Sequence, residues 1–279
     1  MFYYFIIFNI IFSFGVQSFS LPHNANEISN ANSGIANSNN ININCASINN
    51  IKNSVSFSSI AWYQGVKGNN IDYKWGKKNH HYFNLYNLSA DNIDLRDLIP
   101  NDNPNGLFDI HHISLSYGFG KQFSDQFNIG IKTNFNYNQL YIDESYGYHL
   151  NLGLSYLYNQ FLSFGMTIQQ IGIEKYNNKL NSYPLLAGMG STLNFNQINT
   201  VINTDIIFQE ELNNPISLNF SLKSSVSSFS LIAGYHLNQD KKEFSCGFSF
   251  KYRKIQFDYG IGFHNNLGAP TIFSFKYHI

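Results

Sequence analysis

Residues 127–156 read FNIGIKTNFNYNQLYIDESYGYHLNLGLSY, and two runs within this stretch alternate strictly. In the first, Phe127, Ile129, Ile131, Thr133, Phe135 and Tyr137 are interleaved with Asn128, Gly130, Lys132, Asn134 and Asn136. In the second, Tyr146, Tyr148, Leu150, Leu152, Leu154 and Tyr156 are interleaved with Gly147, His149, Asn151, Gly153 and Ser155. Successive side chains of a strand point to opposite faces, so each run predicts a strand with one apolar and one polar face. Both runs outlast the five or six residues usual for soluble strands. Their polar faces carry Asn, Gly and Ser rather than the Lys, Glu and Thr that coat a soluble sheet. Tyrosines gather at the strand ends, where a transmembrane barrel places its aromatic girdle.

The same period recurs on both sides of this stretch. Ile71, Tyr73 and Trp75 alternate with Asn70, Asp72 and Lys74, and Ile216, Leu218, Phe220 and Leu222 with Ser217, Asn219, Ser221 and Lys223. Ile255, Phe257, Tyr259, Ile261 and Phe263 alternate with Gln256, Asp258, Gly260 and Gly262. From Val55 onward the pattern predicts about fourteen strands joined by short polar connectors. One long connector is expected from about Asp91 to Leu107, carrying Pro100 and Pro104. The predicted fold is all-β, a transmembrane antiparallel β-barrel over residues 55–279. Asn134, Asn136, Asn151, Asn199 and Asn203 are expected to line its lumen. A secreted β-sandwich also alternates and is the soluble rival.

Composition agrees with a barrel. Charged residues are 12% of the 279 and asparagine is about one residue in seven, where ordinary domains carry roughly a quarter charged residues. Aromatics reach 17%, with 26 Phe and 19 Tyr. Lys plus Arg and Asp plus Glu are both 17, so no basic face exists to displace counterions, and nucleic acid is excluded as a partner. A mean hydropathy of −0.22 and the lack of long apolar runs after residue 20 exclude a bundle of membrane helices. Only every second barrel residue faces lipid, so a transmembrane barrel accommodates both facts.

Residues 1–20, MFYYFIIFNIIFSFGVQSFS, are apolar from Phe2 to Val16 and then turn small and polar, which reads as a signal peptide cleaved near Ser18 or Ser20. Residues 21–54 are rich in Asn, Ser, Ala and Ile, and composition alone would make them disordered. Cys45 and Cys246 are too few for a disulfide scaffold and are expected to be free thiols. At the other end Phe273, Phe275, Tyr277 and Ile279 alternate to the last residue. Phe275, Tyr277 and Ile279 resemble the terminal strand read by the outer-membrane assembly machinery.

Ser33-Gly34-Ile35-Ala36, Asn44-Cys45-Ala46 and Val55-Ser56-Phe57 together resemble the start of the PorV/PorQ family, relatives of the FadL-type outer-membrane transporters. Gly165 to Gly172, Pro184 to Gly188, Leu231 to Tyr235 and Phe257 to Gly260 resemble later strands of that family. Cys45 stands where the family has proline, and Gly34 is all that remains of its glycine doublet. The resemblance implies a fourteen-strand barrel in which residues 21–54 plug the lumen, with Gly34, Asn44, Cys45 and Ala46 as the plug motif. It implies residence in outer-membrane lipid and a part in type IX secretion or surface attachment, with a translocon or cargo protein as partner. A FadL-like transporter of hydrophobic small molecules is the alternative, and a secreted adhesive β protein the third reading.

No motif marks an enzyme or a cofactor. His80-His81 and His111-His112 are neighbours on strands, so each pair can offer only one ring to a common site. His149, Asn151 and Ser155 share a face, but positions six apart on a strand are about 20 Å apart. Asp91, Asp94, Asp97, Asp102 and Asp109 lack a calcium-loop spacing and read as a solvated loop.

Overall fold

The computed structural model describes residues 21–37, 39–50, 52–95, 103–210, 214–239, 242–264 and 267–279. The expected signal peptide, residues 1–20, and its cleavage near Ser18 or Ser20 lie outside the described residues, as do Pro100, Asp97 and Asp102.

The strands are β1 Ser54–Ala61, β2 Lys67–Gly76, β3 Asn79–Leu95, β4 Gly106–Gln122, β5 Phe127–Leu140, β6 Asp143–Leu157, β7 Leu162–Tyr176, β8 Lys179–Ser182, β9 Leu186–Phe195, β10 Thr200–Gln209, β11 Ile216–Val226, β12 Phe229–Leu237, β13 Lys242–Tyr252, β14 Ile255–Phe263 and β15 Thr271–His278. All chain neighbours except β8 and β9 pair antiparallel. β8 is a short hairpin on the end of β7, which also pairs directly with β9, so the wall itself has fourteen strands. β1 pairs with β15 from Ser54↔His278 to Ala61↔Thr271 and closes the barrel. Closure leaves no row of unpaired backbone groups, which lipid could not satisfy.

The alternation read in the sequence is the alternation of the wall. Phe135 and Tyr148 are 53% and 61% exposed, whereas Asn134 and Asn136 between and beside them are 6% and 0% exposed. Aromatic and aliphatic side chains cover the outside on every side of the barrel, far beyond the apolar patch a soluble monomer carries. Such a surface is stable facing lipid, which makes this a membrane-type barrel. The turns at the end holding both strand termini are short, as at Gly76–Asn79, Val226–Phe229 and Tyr252–Ile255. The longer connectors, Leu95–Gly106, Gln209–Ile216 and Phe263–Thr271, lie at the opposite end.

Three sequence expectations need correction. The connector expected from Asp91 to Leu107 is shorter, because the β3–β4 ladder continues to Leu95↔Gly106 across a bulge between Ala90 and Ile93, with Asn92 at φ 58°. The strand that the Pro184 to Gly188 resemblance marks starts at Leu186. Pro184 cannot donate to a ladder, and Tyr183 turns inward instead to become 4% exposed. Asn199 does not line the lumen: it is exposed in the β9–β10 turn with φ 47° and ψ 43°, a left-handed position that asparagine tolerates well.

Candidate functional site: the lumen and the N-terminal segment

The N-terminal segment runs along the inward face of the barrel. Its one α-helix, α1 (Ala25–Ser29), is capped by Asn24, whose side chain accepts from the Glu27 N–H. A 3-10 turn at Cys45–Asn49 is capped in the same way by Asn44 through the Ala46 N–H, at 3.0 Å. Neither element is long enough to persist in water. Both are held by the wall.

Anchors occur along its whole length. The Ala25 N–H donates to Ser274 Oγ at 2.9 Å, and Ser33 Oγ donates to Ser221 Oγ at 2.6 Å. Gly34 and Ile35 both donate their backbone N–H to Asp205 Oδ2. Asn44 Nδ2 donates to Leu154 O at 2.9 Å, and the Cys45 thiol donates to Gly130 O at 3.1 Å. Gly34, Asn44, Cys45 and Ala46 are thus all buried against the wall. Burial pushes the Cys45 thiol up to about 12, which makes it a packing group rather than a nucleophile. Both cysteines are free.

The wall makes room by lacking side chains where the segment lies closest. A Cβ on Gly130 would sit 2.0 Å from Cys45 O, one on Gly153 2.0 Å from Asn44 Oδ1, and one on Gly165 2.3 Å from Ile35 O. These glycines are neighbours in register, Gly120↔Gly130↔Gly153 and Gly165↔Gly190, and form a flat track across five strands. Sequence reading placed Gly130 and Gly153 on the polar face without seeing this role. The available signal was glycine recurring at inward positions of consecutive strands.

The lumen asparagines bond mainly to other groups of the barrel interior. Asn134 accepts from Ser116 Oγ at 2.6 Å, Asn136 Nδ2 donates to Tyr183 Oη at 3.4 Å, and Asn151 Oδ1 accepts the Gln170 N–H at 2.9 Å. Of this set, Asn203 is the one whose side chain meets the segment, accepting from Asn37 Nδ2 at 3.4 Å. Phe275, Tyr277 and Ile279 follow the outward face of β15, with Tyr277 and Ile279 exposed.

A buried charge network fastens segment to wall. The Glu27 carboxylate accepts from the His23 N–H at 2.7 Å, Asn24 Nδ2 at 2.6 Å and Asn42 Nδ2 at 2.9 Å. Asn42 Oδ1 in turn accepts from Lys132 Nζ at 2.9 Å, so one amide joins the carboxylate of the segment to the ammonium of β5. Burial raises the Glu27 carboxyl above its ordinary value, and Lys132 and its hydrogen bonds oppose that shift. Burial lowers His23, and Lys132 and His112 push the same way.

Above this network lies a cavity of about 580 Å3. Leu21, Trp62, Phe244, Phe263, Leu267 and Pro270 line its mouth at the long-connector end; His23, Tyr86, His112, Lys132, His149 and Gln170 line its depth. On the outer surface Asp91, Asp109 and His111 bring one ligand atom each to within 4.8 Å of the others, because the β3 bulge carries Asp91 against β4. His112 points inward and is buried, so the His111-His112 pair is split between faces. His149 and Asn151 share a 3.1 Å contact, while Ser155 contacts Asn128 instead.

No family model matches this chain, and no curated protein matches it. Several solved structures share its fold. The toluene transporter TbuX of Ralstonia pickettii superposes with a TM-score of 0.63 at 10% identity, covering 92% of this chain and 98% of that one. CymD, a monoaromatic hydrocarbon channel, gives 0.67 at 10% identity over 92% and 97%. A FadL homologue of Pseudomonas aeruginosa gives 0.60 at 9% identity over 92% and 99%. The fold is therefore that of the FadL-like barrels. At such identities the likeness defines architecture and leaves function to the site.

Proposed function

We propose that this protein is an outer-membrane channel for small molecules, with residues 21–50 as the plug that closes its lumen and the cavity above the plug as the entry site. The observation that carries this is the cavity itself: an opening at the long-connector end leads to a floor made by the N-terminal segment. The structural neighbours described as toluene transporters and a hydrocarbon channel support transport over secretion. The apolar mouth supports a ligand with an apolar part. Neither reading asks for an enzyme.

The test is uptake. Liposomes carrying the full chain should take up small aromatic solutes faster than liposomes carrying an unrelated closed barrel, and equal rates would remove the channel reading. The role implied by the PorV/PorQ resemblance calls instead for a stable complex with a translocon or cargo protein. Co-purification from solubilised outer membranes would support that role, and its failure would weigh against it.

A further inference from the structure

We propose that the cavity selects small molecules bearing an uncharged hydrogen-bonding head on an apolar body, with phenols and alcohols as the simplest members. This rests on the channel reading above and goes beyond it by naming what the site rejects: a plain hydrocarbon.

The lining has two chemically different ends. Leu21, Trp62, Leu267 and Pro270 make the mouth apolar, whereas the depth is lined by Tyr86, His112, Lys132, His149 and Gln170. Two of these deep groups are unsatisfied. The Tyr86 hydroxyl and Gln170 Oε1 are buried with no hydrogen-bond partner among the described residues, and the residues themselves are 0% and 3% exposed. A buried polar atom left unpaired is unfavourable, so each favours a ligand group that pairs with it. Tyr86 is held rigidly for such a role, with the His23 ring stacked on it at 3.9 Å and the His112 ring edge-on at 5.9 Å.

The position of Gln170 is itself unusual. The β6–β7 register shifts between Leu150 and Leu152, and Gln170 sits at φ 66° in that irregularity. A regular strand would send adjacent residues to opposite faces, yet Gln169 and Gln170 both line the cavity. Gln169 Nε2 is used up on the plug, donating to Asn42 O and Ile43 O. Gln170 keeps a free acceptor. Bulges that re-aim a side chain gather beside functional sites.

Charge at the floor is already matched, since Asn42 bridges Glu27 and Lys132. An ionised ligand head would have to shed its water without a countercharge of its own, which is expensive in a closed site. A neutral hydroxyl can donate to Gln170 Oε1 or accept from the Tyr86 hydroxyl at no such cost.

The experiment titrates the full chain in lipid nanodiscs with 4-methylphenol, toluene and benzoate by calorimetry, beside Tyr86→Phe and Gln170→Met. The phenol should bind at least about tenfold more tightly than toluene or benzoate, and at least one variant should reduce that preference about threefold or more while toluene is unaffected. Equal affinity for toluene and 4-methylphenol would overturn the inference and leave the channel reading standing, as would preference for benzoate or an unchanged ratio in both variants. If no probe binds and none permeates, both readings fall.

Discussion

Asp205 on β10 accepts the backbone N–H of Gly34, and the same oxygen accepts the N–H of Ile35 at 3.1 Å. Two successive amides converging on one carboxylate oxygen make a small anion-binding nest, here occupied by a side chain of the barrel wall. The nest needs Gly34, whose φ is +114° and whose Cβ, if present, would lie 2.9 Å from Asn40 Nδ2. A carboxyl of the wall and a backbone conformation in the N-terminal segment are therefore one structural unit.

Breaking that unit should loosen the plug and spare the barrel. Asp205→Asn weakens the two hydrogen bonds accepted by Oδ2, worth about 0.5–1.5 kcal/mol each, and Gly34→Ala adds backbone strain of about 1 kcal/mol or more. Limited proteolysis should cleave both variants within residues 21–50 faster than the unaltered chain, while heat-modifiable gel mobility stays normal. Unchanged cleavage would show that the nest does not hold the segment.

The glycine track gives a sharper version of the same test. Gly130→Val places carbon where Cys45 O now sits, at 2.0 Å for the Cβ alone, so plug and side chain cannot both occupy the site. Cys45 in this variant should react with a water-soluble maleimide at close to the rate of an exposed thiol. In the unaltered barrel burial should slow that reaction by orders of magnitude. Equal slow labelling in both would contradict the packing described.

The barrel was legible in the sequence because period-two alternation is local: Phe135 and Asn136 declare their faces without knowledge of their partners. The lumenal placing of the N-terminal segment came from the family resemblance, and its contacts were not legible, because they depend on register between distant strands. Nothing local in Gly130 or Gly153 distinguishes an inward glycine that receives a backbone from one that merely fits a bend. Asn199 was misplaced because alternation was carried one residue ahead of β10, which begins at Thr200, into a turn. Gln170 was missed for the converse reason, since a bulge breaks the period that reading relies on. His23, Glu27 and Asn42 lie 90 or more residues from Lys132 in sequence and meet it only because the segment folds back into the lumen.

Proton linkage should be visible in plug docking. Glu27 is raised in the folded state from an ordinary 4.5, so its contribution is fully present below that value and is lost as pH rises through the shifted one. His23 is depressed from 6.5, so its contribution is present above 6.5 and lost as pH falls. Protease protection of residues 21–50 should therefore decline on both sides of an optimum. Glu27→Gln should flatten the alkaline limb and leave the acidic limb in place. A profile identical to that of the unaltered chain would refute the assignment.

The C-terminal strand carries a separate expectation about assembly. Replacing Tyr277 and Ile279 with Asp should lower the yield of folded barrel. Charges near the rim cost only about 0–1 kcal/mol in solvation, so most of the loss would come from failed recognition. Normal yield in the double variant would remove the recognition role of Phe275, Tyr277 and Ile279.

The central claim, that residues 21–50 close a small-molecule channel, is tested most directly by conductance in planar bilayers. A chain lacking residues 21–50, confirmed as a folded barrel by heat-modifiable mobility, should show stable ion conductance well above that of the full chain. Conductance no greater than that of the full chain would contradict the account.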